Sequence, residues 1–129
     1  MTFDAIGIAG SGMNVHRHWL DAIADNISNV NTVRTTDEAA FQARYITAQE
    51  GENGGAFVTG VLAGSAEGRI VYDPQNPLAD ENGNVRMPDI DLASQMSSLI
   101  MAQRGYQANA AVVDRAKAAY EAALQIGRN

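Results

Sequence analysis

A glycine-rich start, two histidines and a few paired carboxylates are the residues of this chain whose types and spacing invite a chemical reading. The run Gly7-Ile8-Ala9-Gly10-Ser11-Gly12 brings a phosphate cradle to mind. A dinucleotide fingerprint needs a strand before it and a third glycine where Val15 stands, and it fails on both counts. A P-loop would need Gly-Lys-Ser/Thr, and Ser11 is not in a G-x-S-x-G elbow. These glycines therefore read as flexibility and close helix approach. His16 and His18 lie two apart, so on a helix they point about 200° apart and cannot share a metal. His16 falls on an apolar stripe and reads as a hydrogen-bonded seam residue, with His18 exposed. Asp80-Glu81-Asn82-Gly83 lacks the ligand spacing and terminal glutamate of a calcium loop and reads as a turn. Asp89 and Asp91 suit helix capping. Asn26-Ile27-Ser28 spells a glycosylation acceptor but sits inside a helical stretch and carries no weight. With no nucleophile–base pair and no ligand cluster, the reading has no catalytic residue, no cofactor and no metal, and the chain is not an enzyme.

Bulk composition points the same way. The 129 residues suit one domain with a modest core. A net charge of −6 and a pI near 4.7 argue against a nucleic-acid footprint. There is no cysteine, and aromatics make up 6%. No basic, apolar leader opens the chain and no stretch is long and apolar enough to span a bilayer, so by ordinary rules it is cytoplasmic and not membrane-spanning.

Two helical segments must carry whatever the chain does. In the C-terminal one, Asp89 to Asn129, Leu92, Met96, Leu99, Tyr106, Ala110, Val113, Tyr120 and Leu124 recur at three-and-four spacing. Pro88 with Asp89 or Asp91 opens a helix predicted over 90–126, and Gly127 closes it. It would be about 55 Å long at 1.5 Å per residue, too long for a domain of this size to cover alone. In the N-terminal segment, Phe3 to Val30, Ile6, Ala9, Met13, His16, Leu20, Ile23, Ile27 and Val30 form a near-heptad track. Gly7, Gly10 and Gly12 each weaken it by roughly 1 kcal/mol relative to alanine. The expected arrangement is an antiparallel pair, with part of the longer stripe unpaired and Gln103 and Lys117 interrupting it.

The middle differs. Phe41 to Ala48, Phe57 to Leu62 and Arg69 to Tyr72 read as strands. Gly51 to Gly55 is a turn or mobile loop, and Ala63 to Gly68 is the expected hairpin connection between the second and third strands. Asn82-Gly83 is a turn signal, with Val85 to Met87 pairing briefly across it. Ten of the fifteen acidic residues lie between Asp37 and Asp91. The expected fold is mainly α with a small β-rich insert. Residues 1–32 and 89–129 form one discontinuous helical domain, packed as an antiparallel coiled-coil-like pair around an acidic segment, 33–88.

Three ordered motifs carry a resemblance. Ile23-Ala24-Asp25-Asn26-Ile27-Ser28-Asn29-Val30-Asn31-Thr32 resembles the N-terminal signature of bacterial flagellar axial proteins, and Met101-Ala102-Gln103-Arg104-Gly105-Tyr106-Gln107-Ala108-Asn109 resembles their C-terminal one. Tyr72-Asp73-Pro74-Gln75-Asn76-Pro77-Leu78-Ala79-Asp80, with Gly83, Val85, Pro88 and Asp91, is similar to a segment of basal-body rod proteins. Val33-Arg34-Thr35-Thr36 stands where hook and distal-rod proteins commonly carry Gly-Phe. Departures fall at Asp25, Ser28, Asn84 and Asp89-Ile90. The resemblance implies a structural subunit of the flagellar rod, exported through the flagellar type III apparatus without a cleaved signal. It implies other copies of itself and other rod proteins as partners, with no nucleic acid and no small-molecule substrate.

On that reading Ile6, Met13, Leu20, Ile23 and Ile27 pair with Met96, Leu99, Tyr106, Val113, Tyr120 and Leu124. Asn26, Asn29, Asn31, Gln103, Arg104, Gln107 and Asn109 are candidates for polar contacts between subunits. Two alternatives stay open: another rod or hook axial subunit, and a cytoplasmic helical adaptor or chaperone.

Overall fold

The computed structural model describes residues 2–128. Met1 and Asn129, at the outer ends of the two helical segments, lie outside the described residues. The chain runs α1 (Thr2–Ser28), β1 (Arg44–Glu50), β2 (Ala56–Ala63), β3 (Arg69–Tyr72), β4 (Asn84–Met87) and α2 (Leu92–Ile126). The two long helices pack on each other, and the β1–β2 hairpin packs on α1 and not on α2. The class read from the sequence is therefore the one observed.

α1 is continuous through Gly7, Gly10 and Gly12. The tip of the β1–β2 hairpin braces this glycine-rich half. The Ser11 hydroxyl donates to the Ile8 carbonyl at 2.6 Å and accepts from the Ala56 N–H at 3.0 Å. Gly54 and Gly55 have φ of 83° and 79°, a conformation that side chains resist, and let the tip settle over Ile8 and Ser11. At the other end of α1, the Asn29 amide donates to the Asp25 carbonyl at 2.9 Å, and its oxygen accepts from the Thr32 hydroxyl at 3.0 Å. These bonds satisfy groups that a helix end leaves open. α2 begins two residues later than the expected Ile90. Asp91 is its N-cap, accepting from the Ser94 N–H at 3.1 Å, while Pro88 and Ile90 are buried beneath the entry. Gly127 closes α2 in a right-handed conformation, its N–H directed to the carbonyls of Ala123 and Gln125.

The strand pairing differs from the expected one. β2 turns back onto β1 through Gly51–Gly55, antiparallel from Arg44↔Ala63 to Glu50↔Ala56, with a bulge where Thr47 gives way to Ala48. β3 pairs instead with β4, from Arg69↔Met87 to Tyr72↔Asn84. Residues 63–68 do not link a hairpin because the connector from α1 captures them. The Gly64 N–H donates to the Ala43 carbonyl at 2.7 Å, and the Ala40 N–H donates to Ala66 at 2.9 Å. Gly68, at φ 58°, lies so close that a Cβ would stand 2.2 Å from the Met87 carbonyl oxygen. Arg86 fastens the same region, its guanidinium donating to the carbonyls of Thr36 and Glu67.

The loop between β3 and β4 is folded on itself. Asp80 Oδ1 accepts from the N–H groups of Asn82 and Asn84, both at 2.9 Å, and Oδ2 accepts from the Thr36 hydroxyl at 3.1 Å. The turn expected at Asp80 to Gly83 is present, with Gly83 at φ 78°. The backbone bond from Asn84 leads the effects that hold the Asp80 carboxyl below its ordinary value, with the Asn82 and Thr36 bonds adding to it against the opposing effect of desolvation. A depressed folded value means the carboxylate supports the loop above the unfolded pKa, and that support is lost as pH falls through the folded one. Acidification should therefore release the Asn82 and Asn84 amides, read as earlier hydrogen exchange there than in α1. Asp80→Asn should show early release at neutral pH.

Candidate functional site

The interface between the helices fixes where every candidate residue points. Three pairings set its register. A Cβ on Gly12 would meet the Asn109 amide at 2.8 Å, and one on Gly105 would meet the His16 ring at 2.2 Å. The Asn26 amide donates to Gln95 Oε1 at 3.0 Å. Four residues forward on α1, from Gly12 to His16, is four residues back on α2, and the same holds for the ten residues from His16 to Asn26. The helices are thus antiparallel and in one unbroken register. Two glycines, one on each helix, receive a side chain from the other. His16 occupies the seam as expected, its Nδ1 bonded to the Gly12 carbonyl at 2.7 Å.

α1 contributes the stripe read from its sequence. Ile23 is buried, and Ile6, Met13, Leu20 and Ile27 are half-buried. On α2 the face turned inward is centred on Gln95, Ser98, Ala102, Gly105 and Asn109, with Gln95 and Ala102 buried. Leu99, Tyr106 and Val113 flank it, half-buried. Met96 and Leu124 do not make the expected pairing. They are 48% and 51% exposed, and Tyr120 is 37% exposed near the last turns. The reason is steric. Bulky residues of α1 lie on small or slender ones of α2, so the axes come close, and the large residues of α2 are displaced to its flanks. Extrapolating the register, Asp4 lies opposite Lys117 and α2 runs past the start of α1 beyond about Ala119, while every described residue from Lys117 onward is exposed.

The candidate amides divide into two groups. Asn26 is 1% exposed and engaged within the chain. Its Nδ2 donates to the Arg44 carbonyl at 2.9 Å as well as to Gln95, and its Oδ1 accepts from the Arg44 N–H at 2.8 Å. One side chain therefore joins α1, the start of β1 and α2. Arg44 also forms an ion pair with Asp25. Asn29 ends α1, and Asn109 Nδ2 donates to the Gly105 carbonyl at 2.9 Å beside Gly12. These three act inside the subunit. Asn31, Gln103, Arg104 and Gln107 are exposed. Gln103 and Gln107 continue an outer stripe of α2 that begins with Leu92, Met96 and Ile100, spaced four, four, three and four along one side of the helix. Those three apolar residues are 45%, 48% and 50% exposed. Sequence reading missed Gln95, Ser98 and Ala102. The signal was a three-and-four repeat of small and amide residues, running through Gly105 to Asn109 beside the apolar one.

Comparison with known proteins bears on this architecture directly. A family model described as flagella basal body rod protein matches residues 6–34, over α1 and the turn that follows. One described as flagellar basal body rod FlgEFG protein C-terminal matches residues 81–126, over β4 and α2. The flagellar basal-body rod protein FlgC of Yersinia enterocolitica is 36% identical over 126 residues, covering 94% of each chain. That of Salmonella typhimurium is 34% identical over the same share. That of Borreliella burgdorferi is 30% identical over 146 residues, covering 96% of each. The chain belongs to the FlgC family of flagellar basal-body rod proteins. As a member of that family it is a structural subunit of the rod and not an enzyme. Among its described residues no helix is long and apolar enough to cross a membrane. Within this FlgC-family fold, the two family-model matches span the antiparallel pair and its Asn26–Gln95 junction, while residues 35–80 lie between them.

Proposed function

We propose that this subunit polymerises with other copies of itself and with other rod proteins into the proximal rod, the drive shaft that transmits torque. Residues 1–32 and 89–129 would form the packed inner layer and 33–88 an outer module. The observation that carries this reading is the exposed stripe Leu92, Met96 and Ile100 with Gln103 and Gln107 in line. Such a face on a single subunit suits side-by-side helix packing, which is stiff because protein interiors are close-packed. Heterologous contacts that do not close on themselves give a helical array. The reading includes passage through the flagellar type III apparatus, unfolded or partly folded, without a cleaved signal. The glycines of α1 favour it by weakening that helix until it is packed.

Deletion of the gene in its host, with motility scoring and electron microscopy of isolated basal bodies, tests the assignment. Loss of rod and filament with the membrane-embedded base retained is the expected result. Normal flagella and motility would overturn it and favour a cytoplasmic helical adaptor.

A further inference from the structure

We infer that Asn53, at the tip of the β1–β2 hairpin, is a site of spontaneous deamidation in the folded subunit, and that the fold protects Asn82 from the same reaction. Asn53-Gly54 and Asn82-Gly83 are the two Asn-Gly pairs of the chain. Each stands in the tripeptide Glu-Asn-Gly, so the local chemistry is matched and only the surroundings differ. In such a pair the glycine nitrogen, with no Cβ beside it, can reach the asparagine side-chain carbonyl carbon, Cγ. The N–Cγ bond forms, the backbone nitrogen gives up its proton and the side-chain nitrogen leaves as ammonia. Water then opens the five-membered imide at either carbonyl, leaving aspartate or isoaspartate.

Both asparagines are exposed, and both glycines have positive φ, 83° and 78°. The Gly54 N–H donates to the Gly51 carbonyl at 3.0 Å, and the Gly83 N–H donates to that of Asp80 at 2.9 Å. The attack must break that bond, so its rate follows the cost of local opening. At the tip Gly54 is itself exposed, in a reversal that also contains Gly51 and Gly55. Asn82-Gly83 is fastened on both sides. Gly83 is buried, and its carbonyl accepts from the Asp73 N–H at 2.8 Å. Asp80 Oδ1 holds the N–H groups of Asn82 and Asn84. A Cβ on Gly83 would stand 2.8 Å from the Tyr72 ring, so this peptide has little room to turn.

The product changes the tip. A carboxylate at position 53 joins Glu50 and Glu52, and Asp4 lines the same cleft of about 240 Å³. Arg44, the one cation of the hairpin, pairs with Asp25 at the far end. Like-charge repulsion therefore loosens the tip from α1. The Ala56 N–H, held by the Ser11 hydroxyl, reports that loosening.

The test incubates purified subunit at mildly alkaline pH and follows aspartate and isoaspartate at each pair by peptide mass spectrometry. Asn53 is expected to react about tenfold faster than Asn82, the ratio for local openings about 1.4 kcal/mol apart. In urea the two rates should converge. Asp80→Ala, with the helices melting as in the wild type, should speed Asn82 and leave Asn53 unchanged. Equal rates in the folded subunit, or a faster Asn82, would overturn the inference. Rates that stay tenfold apart in urea would also overturn it, because the fold would not be their cause. An Asn82 rate indifferent to Asp80→Ala would remove Asp80 as the protecting group. Asn53→Asp should bring earlier hydrogen exchange at Ala56, and unchanged exchange there would overturn the loosening.

Discussion

A strain whose only copy of this subunit carries Met96→Asp and Ile100→Asp is expected to be non-motile, while the purified variant folds as the wild type does. Both residues are about half exposed on the outer stripe of α2, away from the Gln95–Ala102 face that packs on α1. Surface substitutions of this kind usually change monomer stability by no more than about 0.5 kcal/mol. In a packed interface the same change forces two carboxylates out of water with no partner, at a cost of several kcal/mol each. That difference separates assembly from folding. Thermal melting of the monomer should overlay the wild type, the variant should still be detected outside the cytoplasm, and basal bodies should lack a completed rod. Motile cells with normal rods would show that this stripe faces solvent in the assembly, and the proposed packing would have to move elsewhere on α2. The same substitution at Leu99 discriminates less well, because Leu99 is half-buried beside α1 and a charge there disturbs the monomer as well.

How much of this was legible in the sequence depended on which residues were large. The seam of α1 was legible because Ile6, Met13, Leu20, Ile23 and Ile27 are apolar and do face inward. α2 was harder to read because its inward face is made of Gln95, Ser98, Ala102, Gly105 and Asn109, which a hydrophobic pattern passes over. Pattern reading assumes that the largest apolar residues mark the buried side. On α2 the close contact with α1 takes the small residues, and the large apolar ones lie on the flanks and outer side. The hairpins failed for a different reason. Ala63 to Gly68 has the composition of a turn, but its backbone is taken up by Ala40, in a connector with no periodic signal, and by Ala43, in the stretch read as a strand from Phe41 although β1 begins only at Arg44. Gly51 to Gly55 was the stronger reversal because two residues in succession adopt positive φ there. The Asn26 motif was legible as a resemblance but not in its role, since no periodicity shows that an amide will meet the backbone of a strand 18 residues on.

That amide supports the second large effect. Asn26→Asp is expected to destabilise the subunit by roughly 3–5 kcal/mol near neutral pH, a large fraction of the 5–15 kcal/mol typical of a domain. The two side chains have nearly the same shape, so packing is not the cause. Nδ2 donates to the Arg44 carbonyl and to Gln95 Oε1, and the site is 1% exposed. A carboxylate has no proton for either acceptor and brings a charge into a place without water. Burial raises the pKa of such a carboxyl above the unfolded value of about 3.9. Between those two values the folded state holds the proton and the unfolded state does not, so the variant loses stability as pH rises across that window and reaches a plateau above it. Below it the protonated group can donate to one of the two acceptors, and the gap to the wild type narrows. Asn26→Ala removes the same bonds without adding a charge, and its deficit of about 1–3 kcal/mol should not share that pH dependence. Urea melts of the three proteins from pH 4 to pH 8 decide the matter. A deficit for Asn26→Asp that is small and flat across the range would mean that the junction of α1, β1 and α2 is open to water, and that the helix pair is held by its glycine contacts alone.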